Sequence, residues 1–131
     1  MVVNTLEALL VEFASSPENR AQLVEKLVES RVAVALNKSL ENGALASDFK
    51  PLTLNAEQGF PVLATFTAPD KITPWVQREP EFKYSLVTEF SWALSITRPP
   101  FGIALNPGYR HSFVLAPAEV EVLGRRFRSA T

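Results

Sequence analysis

The stretch Val32-Ala33-Val34-Ala35-Leu36 decides the fold class of this chain. A short, wholly apolar run that contains β-branched residues is typical of a buried β-strand. The run therefore predicts a strand at residues 32–36. The segments on either side of it must supply the layers that cover it, because a sheet buries its apolar face against other elements.

Two amphipathic helices are predicted before this strand. In each, the apolar residues recur at helical spacing and form one stripe on the surface. The stripes consist of Leu6, Leu9, Leu10 and Phe13 in the first helix and of Leu23, Val24, Leu27 and Val28 in the second. Pro17 suits the first position of the second helix, where the missing N–H costs no hydrogen bond. Both helices are polar elsewhere, so each should pack on another layer.

Beyond residue 36, strands and helices are predicted in an order that does not alternate regularly. Strands are expected at about 50–55, 60–67, 101–105 and 112–115, and helices at about 69–76, 85–95 and 117–123. A doubly wound parallel sheet needs strict alternation, and this chain lacks it. The sequence therefore predicts an α+β fold: a single mixed β-sheet with helices packed on it and two helices at the N-terminus.

The chain is predicted to form one domain and a short tail. Its 131 residues fit a single domain. Gly124 has the position of a residue that ends the last helix. We therefore assign residues 1–124 to the domain and the basic residues 125–131 to a C-terminal tail.

Composition excludes several classes of function. The net charge of −1 gives no overall field that attracts nucleic acid or anionic lipid. Cysteine is absent, which excludes disulfides, thiolate metal sites and a cysteine nucleophile. Glu7 and Glu12 interrupt the apolar start of the chain, so it does not match a signal peptide, and no apolar run has the length of a membrane span. We expect a cytoplasmic protein that binds neither nucleic acid nor membrane.

No catalytic or metal-binding motif is recognisable in the sequence. His111 is the only histidine, and catalytic triads and metal sites both need partner residues. The glycine-rich phosphate loops are absent as well. We therefore predict that the chain is not an enzyme and that it binds no metal or cofactor. We interpret His111 as a surface or turn residue.

Trp92 is the first candidate for a functional residue. In the predicted helix at 85–95, the apolar arc is centred near Phe90, and Trp92 falls roughly opposite it. Thr88 and Glu89 lie one turn away, so the indole has a polar setting, and tryptophan is enriched at protein interfaces. These three residues, Trp92, Glu89 and Thr88, form a candidate partner-binding surface. The alternative, that a loop or a neighbouring helix covers Trp92, stays open.

The turn Asn106-Pro107-Gly108 is the second candidate. In one interpretation it only joins two strands, because proline fixes φ and glycine accepts a positive φ. In the other, its backbone forms a small concavity that binds an anion. The candidate ligand-binding residues are then Asn106, Gly108, Tyr109 and Arg110.

Three groups of residues resemble one protein family. The first group is Leu6-Glu7-x-x-Leu10, then Pro17-x-x-Arg20 and Val32-Ala33-Val34. The second is Phe66-Thr67 followed by Trp75. The third is Leu105-Asn106-Pro107-Gly108, then Leu115-x-Pro117-x-Glu119-Val120-x-x-Leu123. In order and spacing they resemble the N-terminal domain of the SseB family of bacterial proteins. The resemblance implies an α+β fold in a bacterial cytoplasmic protein and implies no reaction. Many relatives carry a second domain, for which we expect no room here.

The leading hypothesis is a non-enzymatic interaction or regulatory module that binds another protein. One specific form, by analogy alone, is an immunity or antitoxin-like protein that blocks a toxin. Association between copies of the chain is also open. The second hypothesis is a domain that binds a small metabolite or anion at the turn, and an enzyme comes third. A partner-binding protein should expose an apolar patch, whereas a ligand-binding domain should enclose a pocket with convergent polar groups.

Overall fold

The computed structural model describes residues 5–40, 45, 47–55, 59–109 and 111–128. The helices are α1 (Thr5–Ser15), α2 (Arg20–Val28), α3 (Thr73–Arg78), α4 (Phe90–Ile96) and α5 (Pro117–Arg128). The strands are β1 (Arg31–Leu36), β2 (Thr53–Asn55), β3 (Pro61–Thr65), β4 (Tyr84–Glu89), β5 (Gly102–Leu105) and β6 (Phe113–Leu115). Short 3₁₀ turns lie at Pro17–Asn19, Pro69–Ile72 and Pro80–Phe82. The α+β class predicted from the sequence is confirmed.

The strands form two hydrogen-bonded sheets. The larger sheet has the order β2-β3-β5-β6, in which β3 and β5 are parallel and the other pairs are antiparallel. The smaller sheet pairs β1 with β4 in antiparallel orientation. Two isolated bridges, Ala33 with Phe66 and Leu36 with Pro51, join β1 to the segments before and after β3.

The prediction of one continuous mixed sheet needs a correction at the junction between β1 and β3. The N–H of Leu52 donates to the carbonyl oxygen of Ala35 (2.9 Å), and the N–H of Ala64 donates to that of Leu52 (3.0 Å). Leu52 therefore lies between β1 and β3 at this point. β1 bonds directly to the residues that follow β3 only at Ala33. There the N–H and carbonyl groups of Ala33 and Phe66 bond to each other at 2.8 and 2.9 Å.

β1 separates two apolar clusters, which explains why its sequence is apolar throughout. Val32, Val34 and Leu36 belong to the main core cluster, and Ala33 and Ala35 belong to a second one. Side chains alternate between the two faces of a strand, so a strand covered on both faces needs apolar residues at every position. The main core cluster also contains Leu6, Leu10, Leu23 and Leu27 from the two predicted N-terminal stripes.

The helix predicted at residues 85–95 is wrong in its first half. Residues Tyr84–Glu89 form β4, and α4 begins only at Phe90. Leu86 and Val87 fit a helical period, but Tyr84, Leu86 and Thr88 also alternate with exposed residues, as in a half-buried strand. Pairing with β1 decides between the two periods, because the backbone of β1 is buried and needs hydrogen-bond partners on both of its edges.

The predicted helix end at Gly124 is also wrong. Gly124 is buried inside α5, which continues to Arg128. Arg125 donates a hydrogen bond to Glu121 one turn earlier (3.0 Å), a pairing that supports a continuing helix. Residues 125–128 are therefore helical instead of forming a tail. Residues 129–131 lie outside the described part of the chain.

An ion pair ties the start of α5 to α2. The guanidinium group of Arg20 lies 2.5 Å from a carboxylate oxygen of Glu119 and 4.5 Å from the centroid of the Phe113 ring. The other oxygen of Glu119 accepts the N–H of Ala116 (3.0 Å), which caps α5. Burial raises the pKa of Glu119, but the hydrogen bonds from Arg20 and Ala116 outweigh burial and hold the pKa below its ordinary value. Arg20 and Glu119, which belong to the motifs that resemble the SseB family, therefore hold two helices together.

Candidate functional site

The most distinctive surface is the outer edge of β4. β4 is six residues long and pairs with β1 but with no other described strand. It contains no proline, which natural edge strands often use to prevent pairing. The side of β4 that faces away from β1 is therefore a sheet edge.

The hydrogen-bond pattern shows which groups face outward at this edge. The N–H of Phe90 donates to the carbonyl oxygen of Ser30 (3.0 Å), just beyond the β1–β4 pairing. Hydrogen-bonded and non-hydrogen-bonded pairs alternate along an antiparallel ladder. Leu86 and Thr88 therefore bond to β1, whereas Ser85 and Val87 direct their N–H and carbonyl groups outward and Glu89 directs its N–H outward. The carbonyl oxygen of Glu89, the N-cap residue of α4, accepts the first hydrogen bond of that helix. Among the described residues, no hydrogen bond between elements uses the outward groups of Ser85 and Val87 or the N–H of Glu89.

The side chains of β4 divide between two faces. Tyr84, Leu86 and Thr88 are half-buried, and the first two pack against the main core cluster. Ser85, Val87 and Glu89 are exposed on the other face, where Val87 lies opposite Ala33. Val87 is 47% exposed, one of four exposed large apolar side chains found in the described part of the chain. The edge thus combines unpaired backbone groups with an exposed apolar residue.

The structure places the predicted partner-binding residues on two elements. Thr88 and Glu89 lie on β4, and Glu89 is one of the outward-facing residues. Trp92 lies in α4, where it is half-buried and packs against the main core cluster. Its ring is 6.2 Å from that of Phe49, at an interplanar angle of 31°.

The prediction that Trp92 lies on a polar helix face is therefore wrong. It assumed a helix from Ser85, whereas α4 begins at Phe90, and the segment before β2 brings Phe49 against the indole. The alternative that a loop covers Trp92 agrees with this contact.

Replacing Trp92 with alanine is expected to lower the free energy of unfolding by about 1–3 kcal/mol. This loss is smaller than for a fully buried aromatic residue because the ring is only half-buried. Trp92→Phe keeps an aromatic ring against Phe49 and should cost about half as much. Chemical denaturation followed by circular dichroism measures both variants. Unchanged stability of Trp92→Ala would contradict the packing seen at this residue.

The turn after β5 is held together by Asn106. Asn106 is buried and has a φ of 52°, a left-handed conformation that asparagine tolerates better than most residues. Its side-chain oxygen accepts the N–H of Thr67 (2.9 Å), and its amide nitrogen donates to the hydroxyl of Thr67 (3.1 Å). The polar atoms of this side chain are therefore engaged inside the fold, linking β5 to the end of β3.

The rest of the turn packs on the segment around α3. The indole N–H of Trp75 donates to the carbonyl oxygen of Pro107 (3.0 Å). A Cβ atom on Gly108 would lie 3.0 Å from the Trp75 ring, and Gly108 has a φ of 82°. The hydroxyl of Tyr109 donates to the carbonyl oxygen of Lys71 (2.7 Å), and burial with the nearby charge of Asp70 raises the pKa of that hydroxyl. Arg110 lies outside the described residues.

The side chains considered above for metal binding and catalysis form no metal-binding cluster in the described part of the chain. Among the described residues, no group of three His, Asp or Glu side chains could hold a metal ion. His111 is half-buried, and no described residue is a hydrogen-bond partner of its buried Nδ1 atom. No described helix is long and apolar enough to cross a membrane.

Two clefts meet at Thr97, Arg98 and Pro99. One has a volume of about 250 Å³ and runs toward Pro51 and Phe101, and the other has about 280 Å³ and runs toward α5. The guanidinium group of Arg98 donates to the carbonyl oxygen of Ser95 (2.7 Å). Both clefts are open to solvent and mainly apolar in lining, unlike an enclosed pocket with several convergent polar groups.

Sequence reasoning missed the open edge, although a signal for it was present. Tyr84-Ser85-Leu86 alternates apolar and polar residues as a half-buried strand does, and two β-branched residues follow, although Val87-Thr88 reverses the alternation. The sequence gives no comparable signal for which side of that strand is left without a partner.

Comparison with known proteins gives one family match. A family model described as the SseB protein N-terminal domain matches residues 6–122. No curated protein and no solved structure matches the chain. The matched range extends from α1 into α5 and includes β4 and the turn after β5.

Proposed function

The chain belongs to the SseB N-terminal domain family, as its motifs predicted, and on this premise we propose that it is a non-enzymatic protein-interaction or regulatory module of the bacterial cytoplasm. It binds an extended segment of a partner protein, which adds to the sheet beside β4. The family description names no reaction. With one histidine and no cysteine, the chain lacks a cysteine nucleophile and has a single imidazole for acid–base catalysis.

The observation that carries the proposal is the set of outward backbone groups on β4: the N–H and carbonyl groups of Ser85 and Val87 and the N–H of Glu89. An exposed row of N–H and carbonyl groups is a template for another strand, and peptide recognition by strand addition uses such rows. In this mode, backbone hydrogen bonds supply affinity and the alternating side chains supply specificity. Glu89 would take part through its backbone N–H and its exposed carboxylate. Thr88 faces the opposite side of the sheet.

An immunity or antitoxin-like protein that blocks a toxin is one form of such a module, and it would bind the toxin at the same edge. The alternative of a small-ligand site at Asn106–Arg110 has less support. The side-chain amide of Asn106 is bonded to Thr67, Gly108 lies against Trp75, and the hydroxyl of Tyr109 is bonded to Lys71.

Val87→Pro is expected to remove partner binding without unfolding the protein. Proline lacks the outward N–H that an added strand needs, and its ring occupies the edge. The fold should tolerate it because proline is accepted on edge strands where the N–H faces solvent. In affinity pull-downs from native lysate, we expect capture of the partner to fall by about tenfold or more, equivalent to ~1.4 kcal/mol of binding.

The matched control is Val87→Thr, which keeps the backbone N–H and the β-branched shape. It should capture the partner about as well as the original chain. Thermal unfolding of both variants confirms that they are folded. Equal capture by Val87→Pro and Val87→Thr would overturn the assignment of the binding edge to β4.

A further inference from the structure

We propose that a second copy of this chain occupies the edge of β4, forming a two-fold symmetric dimer with one sheet continuing from β1 through both β4 strands. This inference rests on the proposed function only in one respect: the β4 edge must accept an added strand. It goes further by naming the strand that adds.

The backbone of β4 is self-complementary about Val87. The outward residues Ser85, Val87 and Glu89 are evenly spaced, with Val87 in the middle. In an antiparallel pairing with the two-fold axis at Val87, Ser85 lies opposite Glu89 of the second copy, and Val87 lies opposite Val87. In this register Val87 exchanges both hydrogen bonds with Val87 of the second copy, and the N–H of Glu89 donates to the carbonyl oxygen of Ser85 across the axis.

The exposed side chains of the same face also fit a second copy. Val87, which is 47% exposed, would pack against Val87 across the axis and lose much of that exposure. The hydroxyl of Ser85 would face the carboxylate of Glu89, to which it can donate a hydrogen bond. Each half of the face is therefore matched by the other half of an identical strand.

The charges at the two ends of β4 select the antiparallel arrangement. Lys83 immediately precedes the strand, Glu89 ends it, and both are exposed. In the antiparallel dimer, the Lys83 end of each β4 lies beside the Glu89 end of the other. The ammonium group of Lys83 lies 5.5 Å from the centroid of the Tyr84 ring and would leave that ring to reach the carboxylate of the second copy. In a parallel pairing, like charges would lie side by side at each end, which is unfavourable. This complementarity favours a second copy as the occupant.

The second copy and a partner protein would be mutually exclusive occupants of the β4 edge. A partner protein that adds a strand to β4 must replace the second copy, because both use the same backbone groups. Self-association therefore keeps the edge covered when no partner is present, which also protects an exposed edge from uncontrolled aggregation.

The test replaces Val87, which lies on the two-fold axis of the dimer, with charged residues. Val87→Lys and Val87→Glu each put two like charges directly opposite each other in a dimer, whereas an equimolar mixture pairs lysine with glutamate. Val87 is exposed, so both variants should keep the fold, as circular dichroism can verify. Sedimentation velocity over a wide range of protein concentrations measures association for each variant alone, for the mixture and for the original chain.

We expect the original chain to dimerise with increasing concentration. Each variant alone should have a dissociation constant raised by about tenfold or more, because like charges in contact across an interface are strongly unfavourable. The mixture should regain the dimer as a heterodimer. A mixture that stays monomeric while the original chain dimerises would overturn the placement of Val87 on the axis.

A second outcome separates this inference from the proposed function. If the original chain is monomeric at every concentration but loses its partner on Val87→Pro, the second copy is excluded as occupant and the partner-binding edge stands. If the chain dimerises and Val87→Pro leaves both the dimer and partner capture intact, the β4 edge is excluded for both.

Discussion

Replacing Phe90 with alanine should lower the free energy of unfolding by about 3–5 kcal/mol, as expected for a fully buried aromatic residue. Phe90 is fully buried in the main core cluster, and it is the first residue of α4, directly after β4. Its N–H donates to the carbonyl oxygen of Ser30 (3.0 Å), so it anchors the end of the edge strand as well as filling the core. Alanine leaves a cavity that the surrounding helices close only in part.

Chemical denaturation of Phe90→Ala measures this loss directly. The matched control is Ser91→Ala, the next residue in the same helix, which is half-buried and contacts Glu89 only through a long hydrogen bond of 3.4 Å. The control should change stability by no more than about 0.5 kcal/mol. A loss below about 1 kcal/mol for Phe90→Ala would contradict the packing described for the start of α4.

Replacing Asn106 with alanine should lower the free energy of unfolding by about 2–4 kcal/mol. The N–H of Thr67 loses its buried acceptor, which costs about 1–3 kcal/mol. Alanine must also adopt the left-handed φ of 52°, which costs about 1 kcal/mol more. The two effects act at one residue because its side chain and its backbone conformation both serve the turn.

Asn106→Gly separates these two effects. Glycine also removes the acceptor for Thr67 but adopts a positive φ without strain. Asn106→Gly should therefore be more stable than Asn106→Ala by about 1 kcal/mol, although both are less stable than the original chain. If both variants had the original stability, the turn would be free of this structural role, and the ligand-binding interpretation of Asn106 would gain weight.

The sequence predicted those elements in which local pattern and tertiary environment agree. The stripe of Leu23 and Leu27 in α2 and the apolar run of β1 are confirmed because each pattern has a single matching element. The segment 84–96 was misassigned because Leu86 and Phe90 fit a helix while Tyr84, Leu86 and Thr88 fit a strand. Such a conflict is resolved by tertiary pairing, which a local window does not contain.

The candidate site was predictable only in part for the same reason. The sequence predicts Thr88 and Glu89 as neighbours of Trp92 on a helix, whereas they belong to β4 and Trp92 packs against Phe49. The openness of the β4 edge depends on which strands lie beside β1. Leu52 and Phe66 bond to one side of β1 and β4 to the other, and this pairing involves residues far apart in the chain.

Amide hydrogen exchange, read residue by residue along β4, tests the central claim that its outer edge is open. The Val87→Lys variant at low protein concentration is suitable, because the like charges are expected to keep a second copy away from the edge. We predict slow exchange at Leu86 and Thr88, whose N–H groups bond to β1, and fast exchange at Ser85, residue 87 and Glu89, whose N–H groups face outward. Uniformly slow exchange at all five positions would contradict the account, because another part of the chain would then cover the edge to which a partner strand is proposed to add.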